Sequence, residues 1–130
     1  MNKIEEKHVN GLTELASLIH KNNVEKGFWD APLNVPERLM LTVSELAEAM
    51  EADRKDHMAD LSGFDTLHSS GADFKKNFET NIKNSYEDEL ADVIIRVLDL
   101  AAGQNIDIAA HIMYKVNYNT GRPFKHGKKY

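Results

Sequence analysis

Cysteine is missing from all 130 residues of this chain. Disulfides, thiolate metal sites and cysteine nucleophiles are thereby excluded, and the absence fits a reducing compartment. No apolar run approaches the roughly 18–20 residues of a membrane-spanning helix. Met1 to Asn10 carries no secretory-leader pattern. The expectation is a cytoplasmic protein without membrane association. The seven glycines are scattered rather than gathered into a phosphate-binding loop, and no serine stands in a nucleophile motif. Alternating strand patterns, internal repeats and low-complexity segments are absent too, which leaves an all-α fold.

What is present suits one folded domain spanning 1–130, with 42% hydrophobic and 28% charged residues. Charge is unevenly spread. All 21 acids lie at or before Asp107, while Lys115, Arg122, Lys125, Lys128 and Lys129 follow it unopposed. An acidic body with a basic end invites an anion bound through a metal; alternatively the end is a solvated tail or one that docks on its own body. A long nucleic acid is disfavoured, because the body would repel it.

The apolar spacing predicts four main helices in an antiparallel bundle. The first covers about Ile4 to Asn22, with Val9, Leu12, Leu15, Ala16 and Ile19 on one face. Gly27 and Pro32 bound a linker holding Trp29, the only tryptophan, which can stack on a flat ligand or plug a core edge. The second helix starts from Asn34 as cap, with Pro36 in its first turn, and runs to about Lys55. Its apolar arc is Leu39, Val43, Leu46, Ala47 and Met50. Residues 56–84 are more polar, with Gly63, Ser69, Ser70 and Gly71, but Phe74, Phe78 and Ile82 suggest a short helix serving as connection or lid. The third main helix starts near Ser85, closes at Gly103, and is apolar except for Glu89, Asp92, Arg96 and Asp99. Such a helix should be buried on most sides. Asp107 caps the fourth, Ile108 to about Asn119, and an irregular basic tail occupies 120–130.

Two acidic words stand out on these helices. Glu45-Leu46-Ala47-Glu48 lies on the second, and Glu89-Leu90-Ala91-Asp92 follows on the third, 41 residues beyond Glu48. Residues three apart share a helix face, so each word projects two carboxylates together. If the helices pack, four carboxylates converge as a hard-oxygen site for Mg²⁺, or Mn²⁺ in its place. Taken alone, each word is equally a solvated helix face. Arg96, four residues after Asp92, can form an ordinary pair with it. A di-iron bundle would need two Glu-x-x-His words; only Glu5-x-x-His8 fits, at a terminus. His8, His57, His68 and His111 read as ordinary surface or core histidines. Carboxylate-held metal, a basic end and no covalent nucleophile together suit hydrolysis of a phosphate ester or anhydride by water.

The two words in this order, with the ending Lys115-Val-Asn-Tyr-Asn119-Thr-Gly-Arg122-Pro-Phe-Lys125-His126-Gly-Lys128-Lys129, resemble the MazG-like all-α nucleoside triphosphate pyrophosphohydrolases. The resemblance covers about Leu12 to Tyr130. It implies Mg²⁺-dependent hydrolysis of an NTP or dNTP to the monophosphate and pyrophosphate, with Glu45, Glu48, Glu89 and Asp92 as metal ligands. Glu45 or Glu48 would accept the proton of the attacking water, and Lys115, Asn119, Arg122, Lys125 and Lys128 would bind the phosphates. His20 and Trp29 match base-contacting positions, and a homodimer or higher oligomer would complete the core. There are two departures. Ser44 stands where many relatives have a further glutamate, leaving a helical nucleotide-binding or interaction module with weak catalysis as the alternative. The 41-residue spacing exceeds that of the most compact relatives, so residues 56–84 are expected to form a lid or dimer contact.

Overall fold

The computed structural model describes residues 2–62, 64 and 71–129. Gly63, His68, Ser69 and Ser70, named above, lie outside the described residues. Among the described residues the fold is all helical, without strands. Five α-helices follow one another: α1 (Glu6–Glu25), α2 (Val35–Arg54), α3 (Gly71–Asn81), α4 (Tyr86–Gly103) and α5 (Ile108–Thr120). The short helix suggested by Phe74 and Phe78 is α3. In the tail, Phe124–Gly127 makes a short turn in which Lys125 and His126 take left-handed backbone with φ of 51 and 53°, so no regular helix continues there.

The caps are those the sequence indicates. The Asn34 side chain accepts from the Glu37 amide at 3.1 Å, and Asp107 accepts from Ala110 at 3.0 Å. Ser85, fully buried, accepts from the Asp88 amide at 3.2 Å. Each satisfies a helix-end amide that would otherwise lack a partner. His8 is part of such an end too: the Glu5 amide donates to its Nδ1 at 3.0 Å. That accounts for the lone Glu-x-x-His word without a metal.

The chain divides into two compact units, Asn34–Val97 and the pair of segments Met1–Leu33 with Leu98–Tyr130. In the two-segment unit α1 packs on α5. Asn117, near the end of α5, exchanges two hydrogen bonds with the Ile4 backbone just before α1, at 3.0 and 3.3 Å. The two helices are therefore antiparallel. Ala16 and Ala109 are buried, and small side chains let the backbones approach closely.

In the Asn34–Val97 unit, α2 and the first part of α4 face each other. Here two expectations are corrected. The arc Leu39, Val43, Leu46 and Met50 is 52, 49, 49 and 56% exposed, while Glu45, Ala49 and Ala52 are the buried face of α2. On α4, Leu90, Ile94 and Val97 are likewise exposed, so the helix is not covered on most sides. The physical reason is that α2 turns its acids toward α4, and a helix that does so must turn its opposite, apolar arc away.

Candidate metal centre

Glu45 and Glu48 are one turn apart on α2, as Glu89 and Asp92 are on α4, and the two pairs point at each other. One carboxylate oxygen each from Glu45, Glu89 and Asp92 lies within 4.8 Å of the others. Glu45 is 7% and Glu89 5% exposed, so these acids are not a solvated strip. Glu48 is outside that tight triad, but it reaches the carboxyls of both Glu45 and Glu89.

Bringing like charges together out of water has a cost that shows in their protonation. Burial pushes the Glu89 carboxyl up to about 7, aided by the neighbouring Glu45 and Glu48. Burial likewise raises Asp92, with Asp88 and Glu45 adding repulsion. For Glu45 burial acts in the same sense, but the Arg96 hydrogen bond and charge outweigh it and hold the carboxyl below its usual range. Arg96 Nε and Nη2 both reach Glu45 Oε1 at 2.6 Å. Arg96 therefore pairs across helices with Glu45, rather than along α4 with Asp92 as the four-residue spacing suggested. One cation against several carboxylates leaves the cluster electron-rich. Oxygen donors at this spacing, partly dehydrated and short of positive charge, fit a hard divalent cation.

A recess of about 330 Å³ opens beside the cluster, lined by Glu48, Glu51, Lys55, His57, Asn84 and Glu89 among others. Its size falls at the lower end of small-ligand sites, about 300–1,000 Å³.

The other predicted site residues belong to the unit of α1 and α5. His20 and Trp29 do come together: their rings meet edge to face at 4.7 Å. Both are organised by Asp99, which in the sequence is one of the few polar interruptions of the α4 apolar run. Trp29 Nε1 donates to the two Asp99 oxygens at 3.0 and 3.1 Å. His20 Nδ1 meets Oδ1 at 2.7 Å, and Asn23 donates to Oδ2 at 2.9 Å. Trp29 also lies against Gly103, where a Cβ would collide with the indole. Of the tail residues, Lys115 and Arg122 flank the Tyr118 ring at 5.6 and 5.8 Å from its centroid, and Lys125 sits 5.9 Å from that of Phe124. Arg122 donates to the His126 carbonyl at 3.2 Å. Asn119 Oδ1 is buried with no hydrogen-bond partner among the described residues, and Lys128 is exposed.

The sequence positions of Asp99 and Arg96 carry a signal, though not the identity of their partners. Both fall on the polar strip of α4 defined by Glu89 and Asp92, and polar side chains on a helix face turned inward need partners that satisfy them. Comparison with protein-family models, characterised proteins and solved structures finds no match to this chain.

Proposed function

We propose that this chain is a Mg²⁺-dependent nucleoside triphosphate pyrophosphohydrolase of the MazG-like all-α kind, cleaving an NTP or dNTP to the monophosphate and pyrophosphate. The observation that carries the reading is the meeting of Glu45, Glu89 and Asp92 from two helices within 4.8 Å. These three would hold the ion, with Glu48 beside them. When bound, Mg²⁺ supplies polarisation of the α-phosphate and a lowered pKa for an attacking water.

The roles of the chain's own groups follow from their neighbours. Glu45 is committed to Arg96, so Glu48 is the carboxylate best placed to accept the proton as water attacks the α-phosphorus. The bond to the bridging oxygen breaks and pyrophosphate leaves. Arg96 fixes the Glu45 carboxylate in one orientation for its role as a ligand. Lys115, Asn119, Arg122, Lys125 and Lys128 would neutralise the phosphates, Arg122 in a bidentate way. His20 and Trp29, held by Asp99, would present ring faces and His20 Nε2 to the base.

The test is incubation with each NTP and dNTP plus Mg²⁺ and separation of products by chromatography. We expect monophosphate and pyrophosphate. Release of orthophosphate with a diphosphate, or no turnover with Mg²⁺ or Mn²⁺, would overturn the reading. Glu48→Gln and Asp92→Asn are each expected to lower turnover by about 100-fold or more while keeping the helical circular-dichroism spectrum.

A second reading is a catalytically weak nucleotide-binding or interaction module. The 2.6 Å pairing of Arg96 with Glu45 favours it, because a guanidinium already occupies one carboxylate. Calorimetric nucleotide binding without hydrolysis would select it over the enzyme.

We further propose that a second copy of the chain covers the exposed apolar arc of α2. Leu39, Val43, Leu46 and Met50 follow a four-three-four spacing, the seam by which helices of separate chains interlock. The largely alanine core, in which Leu98 is the one bulky buried aliphatic residue among those described, leaves much of each helix for a partner to cover. No described helix is long and apolar enough to cross a membrane; a cytoplasmic setting is part of the proposal.

A further inference from the structure

The wall of the recess beside the carboxylates carries two kinds of side chain. Glu48, Glu51 and Glu89 are acids, while Lys55, His57 and Asn84 bring donors. The backbone at His57 and Asn84 is rigidly framed. The His57 amide donates to Ala52 O and its carbonyl accepts from Tyr86, both at 2.9 Å. The Asn84 amide donates to Asp88 Oδ2 at 2.8 Å. Asp56 and Asn84, adjoining these positions, adopt left-handed backbone with φ of 51 and 61°, a conformation that Asp and Asn tolerate better than most residues. Both positions are thus fixed by main-chain geometry before any ligand arrives.

Lys55 is the movable part. Its Nζ lies 3.2 Å from Glu51 Oε1 in a contact largely open to solvent, and such pairs hold a side chain only weakly. Glu51 has a second cation, Arg54, at 3.7 Å. Lys55 can therefore leave Glu51 for a stronger anion without stranding it.

We propose that this recess receives the terminal phosphates of the substrate, gripped by Lys55 and His57, which line it together with Glu48 and Glu89 of the acidic cluster. The inference rests on the pyrophosphohydrolase reading and deepens it. An ion at the cluster would attract phosphate oxygens, and Lys55 and His57 would supply donors from the same recess. It also adds phosphate contacts within the Asn34–Val97 unit to those expected of the basic tail. Once the α–β bond breaks, pyrophosphate is the product left in this recess.

The test uses the full chain and inorganic pyrophosphate with Mg²⁺, measured by calorimetry. Lys55→Ala is expected to weaken pyrophosphate binding about tenfold, the loss of one charge-assisted contact, with Lys55→Arg retaining most of it. Lys55→Ala with His57→Gln should weaken it further. Binding of a nucleoside monophosphate, and of Mn²⁺ followed by its electron paramagnetic resonance signal, should stay within about twofold of wild type, because neither uses these donors. Unchanged pyrophosphate affinity in the double variant, with Mn²⁺ still bound, would overturn the recess assignment while leaving the metal centre intact. An equal loss of monophosphate affinity would also overturn it, placing another part of the nucleotide there. Failure of the wild-type protein to bind Mn²⁺ would remove the underlying reading itself.

Discussion

At the scale of single residues, Glu89 is the most informative group. It is 5% exposed, and its carboxyl is raised from 4.5 to about 7 by burial and by its acidic neighbours. A carboxyl whose folded pKa is raised stabilises the fold fully below its unfolded value, and that contribution is lost as pH rises through the folded value. Asp92 is raised in the same sense; Glu45, lowered, acts oppositely and only in the acid range. The metal-free protein should therefore lose stability as pH rises from 4.5 to about 7, by up to roughly 3 kcal/mol from Glu89 if its shift is fully expressed. Glu89→Gln should flatten that dependence and be the more stable protein at pH 8 by about 1–3 kcal/mol, as read by urea denaturation with chelator present. Equal stabilities at pH 8 would contradict the burial assigned to this carboxylate. Gly103 makes a second prediction at this scale. A Cβ there runs into Trp29, so Gly103→Ala should shift tryptophan emission to the red and cost about 1–3 kcal/mol. An unchanged spectrum would show that the indole does not depend on that seat.

At the scale of elements, periodicity showed which residues share a face but not which face is covered. For α2 the arc of Leu39, Val43, Leu46 and Met50 was legible from spacing, and so was the Glu45–Glu48 pair. What spacing left open was the rotation of the helix, which puts Glu45 inside and Leu46 outside. Hydrophobicity within one chain argues for the opposite rotation, and the observed one makes sense when a second chain supplies the missing cover. Leu46→Asp should consequently shift the protein from dimer to monomer in sedimentation equilibrium, while Lys7→Ala, on an exposed turn of α1, should not. A wild-type protein that is monomeric at micromolar concentration would contradict that use of the arc. The helix ends were more readable than their rotations, because Asn34, Ser85 and Asp107 act through their own side chains on amides three residues away. Arg96 shows the converse. Its four-residue spacing from Asp92 pointed along α4, whereas tertiary packing gave it Glu45.

At the scale of the whole molecule, the sequence made the all-α class and the convergence of the two acidic words legible. Both depend on patterns repeated over many residues. The Asp99 network was not legible, since Asn23, His20 and Trp29 reach it from 70 to 79 positions away. Nor was the recess, whose donors come from the end of α2 and the turns around His57 and Asn84. Each arises where separate helices meet, and no local period encodes such a meeting. The uneven charge of the chain keeps its place in the proposal: acids concentrated before Ile108 provide the cation site, and the cations after it offer phosphate contacts. The measurement that bears most directly on this account is titration of the intact protein with Mn²⁺, followed by electron paramagnetic resonance. We expect saturable binding in the wild type, and at least about a tenfold loss of affinity in Asp92→Asn with its helical spectrum retained. Equal Mn²⁺ binding by wild type and variant, or none by either, would contradict a metal centre built from Glu45, Glu89 and Asp92.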